Sequence, residues 1–144
     1  MNQYILRFDG ASRGNPGLSS CGFVILDYKG DPLTNKDILY KKGMFLGYNI
    51  TNNQAEYMGL FIGLKFIIDN KLNNIHIQGD SQLVIKQIKK ESKVNNEVLK
   101  KIYEHIEYMM NKLNIISIRH IYRENNSIAD SICNKILDNL DYRD

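Results

Sequence analysis

The amino-acid sequence predicts an α/β fold built on a five-stranded mixed sheet that is flanked by helices. Three strand-like segments follow one another from the start of the chain, and a long apolar helix comes next. Beyond this helix, two further strand-like segments alternate with helical ones. Strands joined by short turns pair antiparallel, whereas strands separated by a helix join a sheet in parallel. We therefore expect an antiparallel meander of three strands, extended by a fourth and a fifth strand as parallel additions.

The first strand is predicted at residues 3–9 from its alternating pattern. Tyr4, Leu6 and Phe8 share one face of this strand, while the residues between them share the other. The next two strands are expected at 21–27 and 38–47, with the turn residues "YKGDP" at 28–32 between them.

The segment 52–70 is mostly apolar and opens with good capping residues, which predicts a buried helix. Apolar residues at three- and four-residue spacing predict an amphipathic helix over 95–113, with Val98, Ile102, Ile106, Met109 and Leu113 on its apolar face. The remaining elements are expected as strands at 74–80 and 114–122 and as helices at 81–90 and 126–140.

Length and composition fit one soluble globular domain over residues 1–144, with 43% hydrophobic and 24% charged residues. The sequence has no membrane-spanning stretch, and its start lacks the features of a signal peptide, so we expect a cytoplasmic protein with no membrane partner. Cys21 and Cys133 stand alone, without a metal-binding spacing, and are expected to be reduced, small apolar residues.

Most acidic residues lie on solvated faces of a protein, but four in this sequence occupy positions that do not fit such a face. Asp9 and Asp80 each end a predicted strand, and Glu56 and Asp130 lie among apolar residues near the starts of helices. Taken singly, each fits an ordinary role as a turn, cap or first-turn residue. Together they could converge at the carboxyl-terminal edge of the sheet, where a divalent cation would offset their repulsion. Because oxygen ligands without histidine or cysteine suit Mg²⁺ or Mn²⁺, the four acids predict a site for such a metal.

The segment "GASRGNPG" (10–17) is expected to be a loop after the first strand. It lacks the lysine of a nucleotide-phosphate loop, and a strand rather than a helix follows it, which excludes a dinucleotide-binding motif as well. Its glycines favour close approach of a nucleic-acid backbone, with backbone amides and Ser12 or Asn15 as donors.

Four segments in register carry a family resemblance. They are "FDGASRGNPG" (8–17), "TNNQAEY" (51–57), "GDSQLV" (79–84) and "RENNSIAD" (123–130). Their order, spacing and predicted elements resemble the four motifs of type 1 ribonuclease H over essentially the whole chain. The last motif is similar to that of the shorter archaeal, bacterial and plant-type members. The resemblance implies a ribonuclease H-like fold.

By position, Asp9, Glu56, Asp80 and Asp130 match the catalytic, metal-binding carboxylates of that family. The resemblance implies two Mg²⁺ ions per site, for which Mn²⁺ can substitute. It implies an endonuclease that hydrolyses the RNA strand of RNA–DNA hybrids and leaves 5′-phosphate and 3′-hydroxyl ends.

The resemblance also implies which residues hold the substrate. Thr51 matches part of a pocket for a phosphate of the DNA strand. The side chains that match positions lining the minor groove of the hybrid are Ser12, Asn15, Asn52, Asn53 and Gln82. For all of these residues, turn and cap chemistry is the alternative.

Two departures from the best-known bacterial enzyme stand out. That enzyme has a glycine- and histidine-containing loop before the last acid, whereas His120 here is expected on the final strand and without a catalytic role. Arg123 or Glu124 is a candidate to take over part of that histidine's task. The basic protrusion of some members is missing because 81–113 has room for only two helices. The lysines expected to substitute for it in part are Lys86, Lys89, Lys90 and Lys93. The alternative is that they form only a solvated helix face.

Two other functions compete with the nuclease. The first is a non-catalytic module that binds hybrids or double-stranded RNA, although such a module would not need four carboxylates. The second is a domain released from a larger reverse-transcriptase-like polyprotein. Chain length and the initial methionine favour a stand-alone protein, which we expect to be a monomer.

Overall fold

The computed structural model describes residues 1–30 and 37–141, the last of these by its backbone alone. The predicted α/β class and five-stranded mixed sheet are confirmed, with strands in the order β3-β2-β1-β4-β5. β1 pairs antiparallel with β2, and β2 with β3, while β4 is parallel to both β1 and β5. The elements are β1 (Tyr4–Arg13), β2 (Gly17–Asp27), β3 (Ile38–Ile50), α1 (Asn52–Asp69), β4 (Ile75–Gly79), α2 (Gln82–Ile88), α3 (Glu97–Met110), β5 (Ile115–His120), a 3₁₀ turn (Arg123–Asn125) and α4 (Ser127–Asp141).

The expected loop at 10–17 is wrong for its first half. β1 continues through Gly10 to Arg13, and Arg13 still pairs with Leu18 of β2. The turn therefore shrinks to residues 14–16, and β2 and β3 are longer than predicted. Pairing with a neighbouring strand extends β1 through residues whose own preference is for a turn. Residues 31 and 32 of the turn expected at 28–32 lie outside the described residues.

The alternation predicted for the first strand is confirmed by the two faces of the sheet. Leu6 and Phe8 are fully buried in the larger core, which α1, α2 and α3 cover. Ile5 points to the opposite face, where it packs in a smaller cluster with Val24 and Leu26. α4 contributes Ile128 to this second cluster.

Helix α1 lies unusually close to β1. A Cβ atom on Gly59 would be 2.5 Å from the carbonyl oxygen of Asp9, and one on Gly10 would be 2.2 Å from the carbonyl carbon of Ala55. Only glycine fits at either position without displacing backbone. This pair of contacts sets the first turns of α1 against the middle of β1, and it brings Glu56 beside Asp9.

The apolar face predicted for α3 is correct except at its first member. Val98 is 51% exposed, whereas Leu99 is 5% exposed and joins the core with Ile106. Leu99 lies three residues before Ile102, so it continues the same helical stripe. The expected partners Ile102, Met109 and Leu113 pack against this core.

The two cysteines are free thiols, as predicted, and the structure buries both of them. Among the helices in the described ranges, none combines the length and the apolar character needed to cross a membrane.

Candidate active site

The site forms where β4 ends beside β1. The last parallel pair between these strands joins Phe8 to Gly79, so Asp9 and Asp80 are the first residues beyond the ladder. Asp9 thus lies in the middle of β1 rather than at its end. Asp80 comes next to it because β4 ends at Gly79. Glu56 reaches the same point from α1. Asp9, Glu56 and Asp80 each offer a carboxylate oxygen, and these oxygens all lie within 4.8 Å of one another.

Burial and mutual repulsion change the protonation of this cluster. Burial is the main cause that raises the pKa of Asp9 to about 7, and the charges of Asp80 and Asp130 raise it further. A hydrogen bond from Glu56 and another from the amide of Gly10, at 2.9 Å, act in the opposite direction. Burial, and then the charge of Asp9, hold the pKa of Glu56 well above its usual value. Without a cation, the site therefore retains protons near neutral pH.

The fourth predicted acid lies at the rim of this cluster. Asp130 is in the first turn of α4, and its carboxylate lies 3.7 Å from the guanidinium of Arg123. It is not within the compact set of three, although its charge contributes to the raised pKa of Asp9. All four acids line one open polar cavity of about 550 Å³. The other lining residues are Gly10, Ala11, Ser12, Arg13, Asn52, Asn53, Ser81, Arg123 and Asn134.

Comparisons with known proteins agree with this geometry. A family model described as reverse transcriptase-like matches residues 7–136. The protein "Ribonuclease HI" of Halobacterium salinarum is 36% identical over 131 residues, which are 91% of this chain. The crystal structure of RNase H1 from the same archaeon superposes with a TM-score of 0.85 at 35% identity, covering 95% of this chain and 98% of that one. The chain belongs to the type 1 ribonuclease H family.

The family that the four motifs implied is confirmed. A second solved structure, LC11-RNase H1 in complex with an RNA/DNA hybrid, is 31% identical with a TM-score of 0.80. It matches 92% of this chain and 95% of its own. The present chain spans 62% of the length of the halobacterial protein.

Several residues that the ribonuclease H motifs assign to the substrate are bonded within the protein. The side-chain oxygen of Asn52 accepts from the amide of Ser12 at 2.9 Å, and that of Asn15 accepts from the amide of Asn52 at 2.9 Å. The hydroxyl of Ser12 donates to the carbonyl of Ile50 at 2.5 Å. Thr51 forms a capping box with Gln54 at the start of α1. Turn and cap chemistry is therefore present at these four positions.

These internal bonds leave donors available. Because the amide oxygen of Asn52 is used within the protein, its NH₂ group is left to donate at the cavity that Asn52 and Asn53 line. The hydroxyl of Thr51 accepts from Gln54 and retains its own hydrogen. Gln82 is the first residue of α2, exposed and next to the lining residue Ser81. The structure thus brings Ser12, Asn52 and Asn53 to the cavity and leaves Asn15, Thr51 and Gln82 outside its lining.

His120 is the last residue of β5, as predicted. Its Nε2 atom lies 3.1 Å from the carbonyl oxygen of Asp80, and its ring meets Tyr122 edge-on. Since a carbonyl oxygen can only accept, this bond requires the hydrogen on Nε2. In this position His120 supports the backbone that carries Asp80.

Sequence reasoning missed Asn126. This residue is 1% exposed, and its Nδ2 atom donates to the carbonyl of Phe8 at 2.9 Å and to the carboxylate of Asp80 at 3.0 Å. The only signal available was an asparagine at the first position of the helix predicted over 126–140, which is typical of an ordinary cap.

Of the four lysines at 86, 89, 90 and 93, two form ion pairs within the protein. Lys89 pairs with Glu91 at 3.6 Å and Lys90 with Glu107 at 3.8 Å. Lys86 and Lys93 are exposed and have no ion pair among the described residues. Lys90 and Lys93 line an open groove of about 620 Å³ together with Lys100.

Proposed function

We propose that this chain is an endonuclease that hydrolyses the RNA strand of RNA–DNA hybrids with two Mg²⁺ ions and leaves 5′-phosphate and 3′-hydroxyl ends. The observation that carries the proposal is the compact set of Asp9, Glu56 and Asp80 in an open polar cavity. A hybrid as substrate is supported by LC11-RNase H1, whose structure is a complex with an RNA/DNA hybrid.

The chemistry of the donor set fits hard divalent cations. All four acids offer oxygen, which Mg²⁺ and Mn²⁺ prefer, and no described histidine or cysteine belongs to the cluster. The Oε2 atom of Glu56 is buried with no hydrogen-bond partner in the part of the chain that the structure describes, a costly state that a cation would relieve. Asp9, Glu56, Asp80 and Asp130 would hold the ions. When bound, such a pair supplies an activated water and stabilises the leaving oxygen of an in-line displacement.

Side chains around the acids would orient the hybrid. The NH₂ group of Asn52 and the side-chain amide of Asn53 would donate to minor-groove acceptors, including ribose 2′-hydroxyls, which distinguish RNA from DNA. Thr51 would donate its hydroxyl hydrogen to a phosphate of the DNA strand. The other residues proposed to contact the hybrid are Ser12, Asn15 and Gln82.

The deciding experiment is cleavage of labelled RNA–DNA hybrid, double-stranded RNA, double-stranded DNA and single-stranded RNA by the wild type and Asp80→Asn. Each substrate would be incubated with Mg²⁺, Mn²⁺ or EDTA. We expect metal-dependent cutting confined to the RNA of the hybrid and lost in the variant. Tight hybrid binding without cutting would instead favour the non-catalytic module. The single domain over 1–144, the monomeric state and the cytoplasmic location stay predictions.

A further inference from the structure

Asn126 connects three of the elements that carry the carboxylates. Its side-chain Nδ2 donates one hydrogen to the carbonyl of Phe8, the residue before Asp9, at 2.9 Å. The other hydrogen goes to Oδ2 of Asp80 at 3.0 Å. Its own carbonyl accepts the amide of Asp130 at 3.1 Å, the first helical bond of α4. One residue thus touches β1, the end of β4 and the turn that presents the fourth acid.

The backbone of Asn126 is held independently of its side chain. Its amide donates to the carbonyl of Arg123 at 2.9 Å, which closes the 3₁₀ turn before α4. The side-chain oxygen accepts no amide of its own helix among the described residues, and the two side-chain hydrogens are directed to groups 118 and 46 residues away. The side chain of Asn126 therefore links elements that are distant in the sequence.

The chemistry of these bonds requires a donor. Both acceptors, the Phe8 carbonyl and the Asp80 carboxylate, are oxygens, so a carboxylate or an apolar side chain at 126 would remove these two hydrogen bonds. The amide oxygen of Asn126 is itself buried with no partner among the described residues. The two hydrogen bonds from Nδ2 offset the cost of burying this unpaired oxygen.

We propose that Asn126 is a positioning residue that orients the Asp80 carboxylate and ties the start of α4, and with it Asp130, to the metal-binding cluster. This inference rests on the proposed function, since it assumes that the cluster holds divalent cations. Oδ2 of Asp80 accepts this hydrogen bond from Asn126, which restricts the rotation of the carboxylate within the cluster. Asn126 itself would contact neither the ions nor the substrate.

The test is a titration of thermal stability with MnCl₂ and MgCl₂ for the wild type, Asn126→Ala and the control Asn96→Ala. A ligand that binds the native state raises Tm with a concentration dependence that reports its affinity. Asn96 caps α3 by accepting from the amides of Val98 and Leu99 at 2.9 and 3.0 Å, away from the cavity. Its removal lowers the metal-free Tm without touching the cluster.

We expect Asn126→Ala to weaken metal binding about 10- to 100-fold, as the loss of a hydrogen bond to a metal ligand typically does. Asn96→Ala should retain wild-type metal affinity. A metal affinity of Asn126→Ala equal to that of the wild type would overturn the proposal and leave Asn126 as a purely structural residue. If Asn126→Ala does not fold, Asn126→Ser, which keeps one donor, goes through the same titration, and unchanged affinity there has the same consequence.

Hybrid cleavage by the wild type, measured separately, distinguishes this inference from the proposed function. A wild type that is stabilised by metal but does not cut hybrids contradicts the nuclease and leaves the role of Asn126 to the titration. A wild type whose Tm does not respond to either metal overturns the metal site and the positioning role together.

Discussion

The carboxyl groups of Asp9 and Glu56 share a hydrogen bond in a position where the two residues are only 4% and 8% exposed. Two carboxyl groups can make this bond only while a proton lies between them. The native state without a cation therefore binds protons that the unfolded chain has already released. A rise in pH removes this proton and lowers the stability of the metal-free native state, whereas a bound cation raises it.

The first prediction concerns stability without metal. The pKa of Asp9 rises from 3.8 to about 7 on folding, and that of Glu56 rises as well. An acid with a raised native pKa favours folding below its unfolded value, and that advantage is lost as the pH rises through the native value. We expect Tm in EDTA to fall between about pH 4 and 7 and Mg²⁺ to restore more stability at the upper end. Scanning calorimetry across this range measures both effects.

A matched pair of variants assigns this slope to the cluster. Glu56→Gln removes one of the two buried acids and should flatten the fall of Tm with pH. Glu104→Gln makes the same chemical change at an exposed position on α3 and should leave the slope intact. Equal slopes in Glu56→Gln and the wild type would show that the cluster does not cause the pH dependence.

The second prediction separates catalysis from folding at Asp80. Asp80→Asn removes one charge from a site where like charges raise the pKa of both Asp9 and Glu56. We expect cleavage to be abolished while the metal-free Tm stays equal to that of the wild type or rises, since repulsion decreases. Asp69→Asn, an exposed acid paired with Lys65 on α1, is the control and should cleave normally. A variant at Asp80 that retains most activity would refute the metal assignment.

The third prediction tests the close contact between α1 and β1. Gly59→Ala would place a Cβ atom 2.5 Å from the Asp9 carbonyl, so the helix that carries Glu56 must move. Gly63→Ala, one turn further along α1, would place a Cβ atom 2.6 Å from a terminal methyl group of Leu6, which is the end of a side chain rather than backbone. Both variants should lose about 1–3 kcal/mol of stability by overpacking. Only Gly59→Ala should also lose hybrid cleavage, and comparable cleavage by the two would show that the Asp9–Glu56 spacing tolerates displacement.

The convergence of the acids could be predicted from the sequence because it depends on local patterns. Alternation placed Leu6 and Phe8 on the core face, and the predicted strand ends placed Asp9 and Asp80 at one edge of the sheet. That β1 and β4 are neighbours is known only from the structure. The extent of β1 could not be predicted in this way, since Ser12 is in a strand only because it pairs with Ser19. Pairing energy comes from a partner whose position is unknown until the fold is known.

The offset of Asp130 and the bonds of Asn126 were beyond sequence reasoning for a related reason. A motif shows that Asp130 follows Asn126 by one helical turn, but not how far α4 stands from β4. The partners of Asn126 are 118 and 46 residues away, so local propensity describes it only as a cap. Buried hydrogen bonds over such separations become visible only with the packing of the elements.

The fourth prediction concerns His120. Its bond to the Asp80 carbonyl supports the backbone without reaching the carboxylate cluster. We expect His120→Ala to lower kcat by less than tenfold, below the roughly hundredfold or larger contribution of a general acid or base. His120→Gln retains a donor and should lie closer to the wild type. A loss of about a hundredfold in both variants would mean that the imidazole takes part in proton transfer.

The fifth prediction distinguishes a phosphate-binding surface from a solvated helix face. Lys86 and Lys93 have no ion pair among the described residues, whereas Lys89 and Lys90 are partly neutralised by Glu91 and Glu107. Replacing Lys86 and Lys93 with glutamine should therefore weaken hybrid binding and reduce the slope of log affinity against log salt by about 2.

The control for this slope removes the same charge elsewhere. Lys71 and Lys112 lie at the edge of the sheet where β4 and β5 begin, opposite to Asp80. The double variant Lys71→Gln/Lys112→Gln changes the net charge equally but should keep the wild-type slope, because released counterions reflect contacts with phosphates rather than total charge. Fluorescence anisotropy of a labelled hybrid with Asp80→Asn as the background would measure binding without cleavage. Identical slopes for the two double variants would assign Lys86 and Lys93 to the solvated face of α2 and the segment after it.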